Sequence, residues 1–229
     1  MGTRLRKHRV LLLTVGVVVL LASCISVTAD RFLSNQITSR VQQELPNASG
    51  VSASVPLMDL VHNLTSDSIK SVAIEIKNYA LKESNTISSL AITASNVSKL
   101  QPTLVGVLDV TATIPLTTII ESSGFNDAKI NGNALQVAVG PNGIAQALVI
   151  PKYSNGQLYF QLKSVSILGN QIPTSSLPSD FQNQIKSKSL RNLTVPKGLE
   201  VISVSIESDG LLLHFRGKNI QLNQLELAF

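Results

Sequence analysis

Residues 131–168 read NGNALQVAVGPNGIAQALVIPKYSNGQLYFQLKSVSIL. Three turn signals interrupt this stretch: Asn131-Gly132, Gly140-Pro141-Asn142-Gly143 and Ser154-Asn155-Gly156. Because Asn-Gly dipeptides favour tight hairpin turns, the apolar segments beside them are predicted to be strands. The predicted strands are 135–139, 144–150 and 157–168. Strands joined by such short turns pair as antiparallel neighbours.

The strand at 144–150 has apolar residues at both its odd-numbered and its even-numbered positions. Leu148 and Ile150 share one face, and Ala147 and Val149 lie on the other. This pattern indicates a sheet that is covered on both faces, or one that holds a ligand on its second face.

In the strand at 157–168 the apolar parity changes near Lys163 and Ser164. This change predicts a β-bulge, which would bend the sheet strongly. A bent sheet with this much inward apolar surface should line a lipid cavity. The predicted core or cavity residues are Leu148, Ile150, Leu158 and Phe160.

The rest of the chain predicts an α+β fold with a mostly antiparallel sheet. Apolar residues recur at three- to five-residue spacing from Ala29 to Leu45, which indicates an amphipathic helix. Shorter helices are predicted at 116–121 and 178–190, the latter with Phe181 and Ile185 inward. Further strands are predicted at 71–77, 90–94, 104–114, 201–206, 211–216 and 220–229. Residues 30–229 contain no long linker or repeat, which favours one domain after a targeting segment at 1–29.

The composition favours acyl chains as ligands. Apolar residues make up 44% of the 229 positions, aromatic residues make up 4%, and Trp is absent. A cavity in such a chain is lined mainly by Val, Ile and Leu, which suit acyl chains better than stacked bases or sugars.

The net charge of +5 does not indicate a nucleic-acid binder. Four of the nineteen basic residues are Arg4, Arg6, Lys7 and Arg9, so the remainder of the chain carries 15 basic and 14 acidic residues. A nucleic-acid-binding domain normally carries a basic stripe on its folded part. The sequence therefore excludes nucleic acid as the expected partner.

The N-terminus has the pattern of an export signal, with a basic segment followed by a nearly continuous apolar run from Val10 to Ile25. If it is uncleaved, Val10–Ala29 as a helix would be about 30 Å long, enough to span a bilayer. Alternatively, Leu21-Ala22-Ser23-Cys24 has the form of a bacterial lipobox, in which Cys24 would carry a diacylglycerol. A third alternative is plain secretion. The first two place the domain at the extracytoplasmic face of the cell membrane.

Several segments resemble the actinobacterial LmeA family of phospholipid-binding proteins over about residues 30–222. The similar segments are Ala29-Asp-Arg-Phe32, Val55-Pro-Leu-Met-Asp-Leu60, Val165-Ser-Ile-Leu-Gly-Asn-Gln-Ile-Pro173, Pro196-Lys-Gly-Leu-Glu-Val-Ile-Ser-Val-Ser-Ile-Glu-Ser-Asp-Gly210 and Leu211-Leu-Leu-His-Phe-Arg-Gly217. The resemblance implies a fold like the bactericidal/permeability-increasing (BPI), tubular lipid-binding type. In that fold a strongly curved sheet wraps a long N-terminal helix and encloses lipid. It further implies phospholipid binding at the cell envelope, with a role for some members in assembling lipid-linked glycans, and it supplies no catalytic residues.

The sequence offers little that would serve catalysis or a metal. His62 lies three residues from Asp59, but such a lone pair is more often structural, and zinc usually takes three or four protein ligands. His214 alternates with Leu213 and Phe215 and is expected to face solvent or a polar seam. Neither a G-x-S-x-G elbow nor a P-loop is present. The expectation is a protein without enzymatic activity, metal or cofactor.

Basic residues cluster between Asp180 and Glu200, a stretch with no acidic residue: Lys186, Lys188, Arg191 and Lys197. Beside a membrane such a cluster attracts anionic headgroups, and its alternative is an ordinary solvated helix face. The leading function is a tethered envelope protein that binds or shuttles phospholipid. An inert envelope scaffold or adhesion lipoprotein and a hydrolase with an unrecognised site are the alternatives.

Overall fold

The computed structural model describes the chain from residue 38 to residue 221, apart from 40, 43–47, 57–58, 60–62, 64, 81–86, 101–102, 124, 126, 141–142, 194 and 196. Within these bounds the protein consists mostly of antiparallel β-sheet with few helices, as the sequence predicts. The targeting segment predicted at 1–29 and residues 222–229 lie outside the described part.

Two six-stranded sheets contain the twelve described strands. The first sheet has the order β1-β2-β3-β4-β12-β11, formed by β1 (Ala48–Ser54), β2 (Ser68–Ala80), β3 (Ile87–Ser98), β4 (Leu104–Pro115), β12 (Gly210–Gln221) and β11 (Leu199–Glu207). The second has the order β10-β8-β7-β6-β5, with β9 also on β8. Its strands are β5 (Lys129–Asn131), β6 (Ala134–Val139), β7 (Ala145–Ser154), β8 (Gln157–Ile167), β9 (Asn170–Ile172) and β10 (Arg191–Asn192).

Alternating side chains form the buried face of the first sheet. Ile74 of β2 lies opposite Ile92 of β3, and Ile76 lies opposite Leu90, with all four side chains almost fully buried. The residues between them, such as Glu75, are exposed. One apolar face and one polar face are what a period of two produces in a strand.

Two helices accompany the second sheet: α1 (Leu116–Ser123), which follows β4 directly, and α2 (Ser179–Ser189). Both confirm predicted helices. In α2, Ile185 is buried and Phe181 is half-buried, as expected for its inward face. A 3-10 turn at Thr174–Ser176 precedes α2.

The chain divides into two compact units. The first comprises Met1–Ala112, Thr194–Ile202 and His214–Phe229, and the second comprises Thr113–Leu193 and Ser203–Leu213. Three of the four boundaries fall inside β4, β11 and β12, and the units are not consecutive segments of sequence. The predicted division at residue 29 lies outside the described residues.

Three segments differ from the sequence prediction. Ala48–Ser54, where no strand was predicted, is strand β1; it pairs with β2, and its Val51 and Ala53 are buried. The segment between the strand predicted at 157–168 and the helix predicted at 178–190 contains the short strand β9. The strands predicted at 211–216 and 220–229 are one strand through Gln221, because Asn219 adopts a left-handed φ of 52° without ending the pairing.

Only four residues of the predicted helix at 29–45 are described. Thr38, Ser39, Val41 and Gln42 are helical, and Val41 is completely buried. The remainder of this helix lies outside the described residues.

Candidate functional site

The predicted bulge in β8 is confirmed by the pairing of β7 with β8. Val149 lies opposite Leu162 and Leu148 lies opposite Ser164, so Lys163 has no partner across the ladder. The extra residue places the even-numbered Phe160 and Leu162 on the same sheet face as the odd-numbered Val165. The parity change in the sequence is therefore a bulge rather than the end of the strand.

The four predicted cavity residues do not line one surface. Phe160 lies opposite Pro151 and Leu158 lies opposite Tyr153, which places both on the face of Val149, here called the inner face. Leu148 and Ile150 lie on the other side of β7, the outer face. Because successive side chains of a strand point to opposite faces of the sheet, these two pairs of residues cannot line the same surface. Sequence could not resolve the two faces, since β7 is apolar on both.

Phe160 is part of a closely packed core on the inner face. Its side chain is 3% exposed, and its ring meets that of Phe125 edge to face, with 5.8 Å between centroids and 69° between planes. Its backbone N–H donates to the Oγ of Ser189 at 2.9 Å, and the same hydroxyl donates to the carbonyl of Ile185. The buried hydroxyl thus ties the last turn of α2 to β8.

The outer face keeps apolar surface partly exposed. Leu148 and Ile150 are half-buried, whereas Ala147, Val149 and Pro151 of the same strand are buried on the inner face. Polar side chains border the two aliphatic residues: Asn131 donates to Gln136, and Gln136 donates to Gln146. A half-buried aliphatic side chain can still gain burial from a ligand, and a fully packed one cannot.

The basic candidates are spread over both units. Lys186 and Arg191 belong to the second unit, and Lys197 is an exposed residue of the first. The ammonium of Lys186 lies over the ring of Tyr159, 4.6 Å from its centroid, and the Arg191 guanidinium donates to the carbonyl of Leu190 at 2.7 Å. The side chain of Lys188 lies outside the described part.

Lys152 is a basic residue of this region that the sequence analysis did not single out. It lies directly opposite Tyr159 in the β7–β8 ladder and is exposed on the outer face. Counting outward from the Asn155-Gly156 turn gives this pairing, so the hairpin signal alone could have found it. Tyr159 therefore has Lys152 as its cross-strand neighbour and Lys186 over its ring.

His214 lies in a polar seam of the first unit, as predicted. Its Nε2 is 2.9 Å from Oδ1 of Asp109, which also accepts a hydrogen bond from Arg216 Nε at 2.7 Å. Burial raises the pKa of the Asp109 carboxyl, but the hydrogen bonds from Arg216 and His214 outweigh it and hold this pKa below its ordinary value. A β4 carboxylate that contacts Arg216 and His214 on the neighbouring strand β12 has the character of a structural interaction.

The predicted Asp59 and His62 pair lies partly outside the described residues, because His62 is not among them. The Asp59 carboxylate instead accepts a hydrogen bond from the ammonium of Lys70 at 2.7 Å. Over the described ranges, no group of three or more His, Cys, Asp or Glu side chains is placed to hold a metal ion.

The membrane segment predicted at Val10–Ala29 and the lipobox cysteine, Cys24, also lie outside the described residues. Among the helices that are described, none has the length and apolar character needed to cross a bilayer.

Comparison with known proteins returned no match to a protein-family model, to a curated protein or to a solved structure. The resemblance to the LmeA family thus stays a prediction from short sequence segments.

Proposed function

We propose that this chain is an exported protein, tethered to the extracytoplasmic face of the cell membrane by its N-terminus, that binds phospholipid without acting as an enzyme. We further propose that the first sheet is strongly curved around the helix at 29–45, as in BPI-like tubular lipid-binding proteins. Phospholipid and the membrane are the proposed partners, and no cofactor is needed.

The aliphatic character of the first sheet supports the fold part of this proposal. Its buried positions are almost all Val, Ile, Leu or Ala, with Phe215 as the aromatic residue of β12. Such a broad apolar face must be covered, and a helix is one of the two elements that can cover it. Val41, helical and fully buried, belongs to the segment proposed for that role.

The observation that carries the lipid proposal is the second apolar face of β7. Leu148 and Ile150 retain exposed aliphatic surface beside a packed core, and soluble domains usually place polar residues at such positions. The outer face also carries Tyr159 with Lys152 opposite it and Lys186 over its ring. Aliphatic surface next to ammonium groups suits a molecule with an acyl chain and a phosphate.

Lipid analysis of the full-length protein tests the proposal. The protein is extracted in mild detergent, and the phospholipid that remains bound is counted by native mass spectrometry. We expect stoichiometric phospholipid on the wild type and little on the double variant Leu148→Gln/Ile150→Gln. Gln161→Ser is the matched control, because Gln161 lies opposite Ile150 on the same face and its replacement removes no aliphatic surface.

Each outcome favours a different class of protein. Phospholipid that is absent from the wild type would contradict the proposal and favour an inert envelope scaffold. Turnover of an ester substrate by the purified chain would favour a hydrolase. Phospholipid that is retained equally by the wild type and the double variant would leave lipid binding intact and move it away from the outer face.

The headgroup part of the proposal has its own measurement. Replacing Lys186, Lys188 and Arg191 with Glu should lower the share of anionic lipid among the lipids that copurify, since each basic residue near a surface contributes about 1 kcal/mol of attraction. The total lipid count should stay unchanged. An unchanged share of anionic lipid would contradict a headgroup role and favour the alternative that these residues form an ordinary solvated helix face.

The mode of tethering is tested at Cys24. If Cys24 carries a diacylglycerol, metabolic labelling with a fatty-acid probe should succeed in the wild type and fail in Cys24→Ser. If the wild type takes up no label but fractionates with membranes, the apolar segment acts as a membrane-spanning anchor.

A further inference from the structure

An apolar residue occupies an unusual turn at one end of the second sheet. Leu168 and Gly169 join β8 to β9 in a two-residue turn, closed by the pairing of Ile167 with Asn170. Leu168 has a φ of 50°, in the left-handed region that side chains other than Asn, Asp and Gly rarely adopt, and it is 84% exposed. At the opposite end of β8 the equivalent turn is Asn155-Gly156, and Asn155 has the residue type that this conformation favours.

Two further exposed aliphatic residues lie at the same end of the sheet. Ile167 is 39% exposed and pairs beside Ala145, so Ile144, which is 55% exposed, lies at the same edge. Ile144, Ile167 and Leu168 are together called the apolar tip. Ile167 has the inner-face parity and Ile144 the outer-face parity, so the exposed aliphatic side chains flank this end of the sheet on both faces. Folding alone does not require such exposure, or an aliphatic residue in the disfavoured conformation of Leu168.

The segment that contains the apolar tip carries mainly basic charge. Residues 128–179 contain Lys129, Lys152 and Lys163 but no Asp or Glu, although Asp127 precedes them. Lys163, exposed at the bulge, lies four residues before Ile167, about 13 Å along the strand at 3.3 Å per residue. Lys129 lies opposite Gln136 of β6. Gln136 is three residues before Val139, which pairs with Ala145 at the tip end of the sheet, so Lys129 is about 10 Å from that end along the strand direction.

We propose that the apolar tip inserts into the interfacial region of an anionic phospholipid bilayer, with Lys129 and Lys163 at the depth of the phosphate groups. An interfacial element buries its apolar side chains about 5–10 Å into the boundary between headgroups and acyl chains. Lysines about 10 Å behind such side chains then meet the headgroups, where anionic lipid attracts them. This inference rests on the proposed function for the presence of the protein at a membrane.

Tryptophan fluorescence tests this docking, because the wild-type chain contains no Trp. Leu168→Trp and Asn155→Trp place one reporter at each end of β8, in turns with nearly equal positive φ, so the strain is matched. The full-length variants are reconstituted into vesicles of phosphatidylcholine and phosphatidylglycerol that contain lipids with brominated acyl chains. We expect strong quenching of Trp at 168 and weak quenching at 155.

The charge contribution is measured in the same vesicles. Replacing Lys129 or Lys163 with Gln in the Leu168→Trp chain should lower the ratio of docked to undocked protein about fivefold per lysine, the equivalent of about 1 kcal/mol. In pure phosphatidylcholine these replacements should have no effect. If Leu168→Trp fails to fold, Ile144→Trp reports from the same tip.

Equal quenching at both ends, or none at 168, overturns the proposal. An emission shifted to the blue without quenching at 168 also overturns it, since the tip would then contact protein, as in a complex with a second copy. Phospholipid that is bound to the detergent-extracted protein, counted before reconstitution, separates the two proposals. Bound phospholipid with an unquenched tip contradicts the docking alone, and a chain without bound phospholipid contradicts the proposed function.

Discussion

Replacing Phe160 with Ala measures whether the inner face of the second sheet is a solid core or the wall of a lipid-filled cavity. The ring is 3% exposed and stacks edge to face on Phe125. Loss of transfer free energy for a buried Phe side chain is about 2.5 kcal/mol, and the aromatic pair adds about 1 kcal/mol. With the residual cavity, the expected loss of unfolding free energy is about 4 kcal/mol, within the range for Phe to Ala changes in cores.

Urea denaturation of the full-length protein in detergent, followed by circular dichroism, provides the measurement. With a denaturant slope of about 2 kcal/mol/M, a loss of 4 kcal/mol lowers the midpoint by about 2 M. Tyr159→Ala is the matched control: this aromatic residue is adjacent in sequence but half-buried on the outer face, where Lys186 lies over its ring. Its loss should cost about 1 kcal/mol.

A loss for Phe160→Ala no larger than that for Tyr159→Ala would refute the assignment of this ring to a packed core. If bound phospholipid fell at the same time, Phe160 would line a cavity, as the sequence predicts. A large destabilisation with unchanged phospholipid would remove Phe160 from the cavity residues and leave a closed core on the inner face.

Three other predictions follow from single contacts. Asp109→Asn should destabilise the protein near neutral pH by about 1 kcal/mol, the scale of a partly exposed ion pair. Because the pKa of the Asp109 carboxyl is lowered by folding, its contribution is present above the ordinary carboxyl pKa and is lost as the pH falls through the folded value. The gap between wild type and variant should therefore close as the pH falls below the ordinary carboxyl pKa and through the lower folded value, and a constant gap in pH-dependent denaturation would contradict this. Ser189→Ala should cost about 1–3 kcal/mol in denaturation, because the buried N–H of Phe160 loses its acceptor; Ser189→Thr, which keeps a hydroxyl, should cost less. Gly210→Ala should prevent stable folding, since a Cβ there would lie 2.0 Å from the carbonyl oxygen of Ile114 at a φ of 140°, and normal expression with an unchanged melting temperature would contradict it.

Local signals in the sequence predicted much of the second unit. The Gly140-Pro141-Asn142-Gly143 and Ser154-Asn155-Gly156 signals predicted two hairpins, and the antiparallel pairing of β6 with β7 and of β7 with β8 confirms both. The parity change fixed the bulge at Lys163, because one face of β8 must remain apolar through the register shift. Helix α2 followed from the spacing of Phe181 and Ile185.

Other features depend on interactions that no local pattern encodes. Strand β1 has only Val51 and Ala53 as apolar inward residues, and it becomes a strand because β2 offers it a partner. The Asp109 and His214 contact joins residues 105 positions apart, so it requires the pairing of β4 with β12. Neither pair of strands is joined directly by a short turn.

The candidate site shows the same limit. The sequence showed that β7 has apolar residues at both odd- and even-numbered positions. It could not show which face of β7 is buried, because one face carries alanine and valine and the other carries leucine and isoleucine. Leu168 was expected to be the last residue of a strand. Its exposure follows from the turn that it forms with Gly169, and an aliphatic residue gives no turn signal.

The apolar tip and the outer face make separable contributions to lipid uptake. Ile144 has the same parity as Leu148 and Ile150, which lie about 13 and 20 Å further along β7. If the tip docks and the outer face binds, Leu168→Asn should slow the transfer of fluorescent phospholipid from donor vesicles to the anchored protein, yet leave the amount bound at equilibrium unchanged. Leu148→Gln/Ile150→Gln should lower the equilibrium amount instead. Asn suits the positive φ at 168 better than Leu, so the slower transfer should come with equal or greater stability, which excludes unfolding as its cause. An unchanged transfer rate for Leu168→Asn would contradict a role for the tip in uptake.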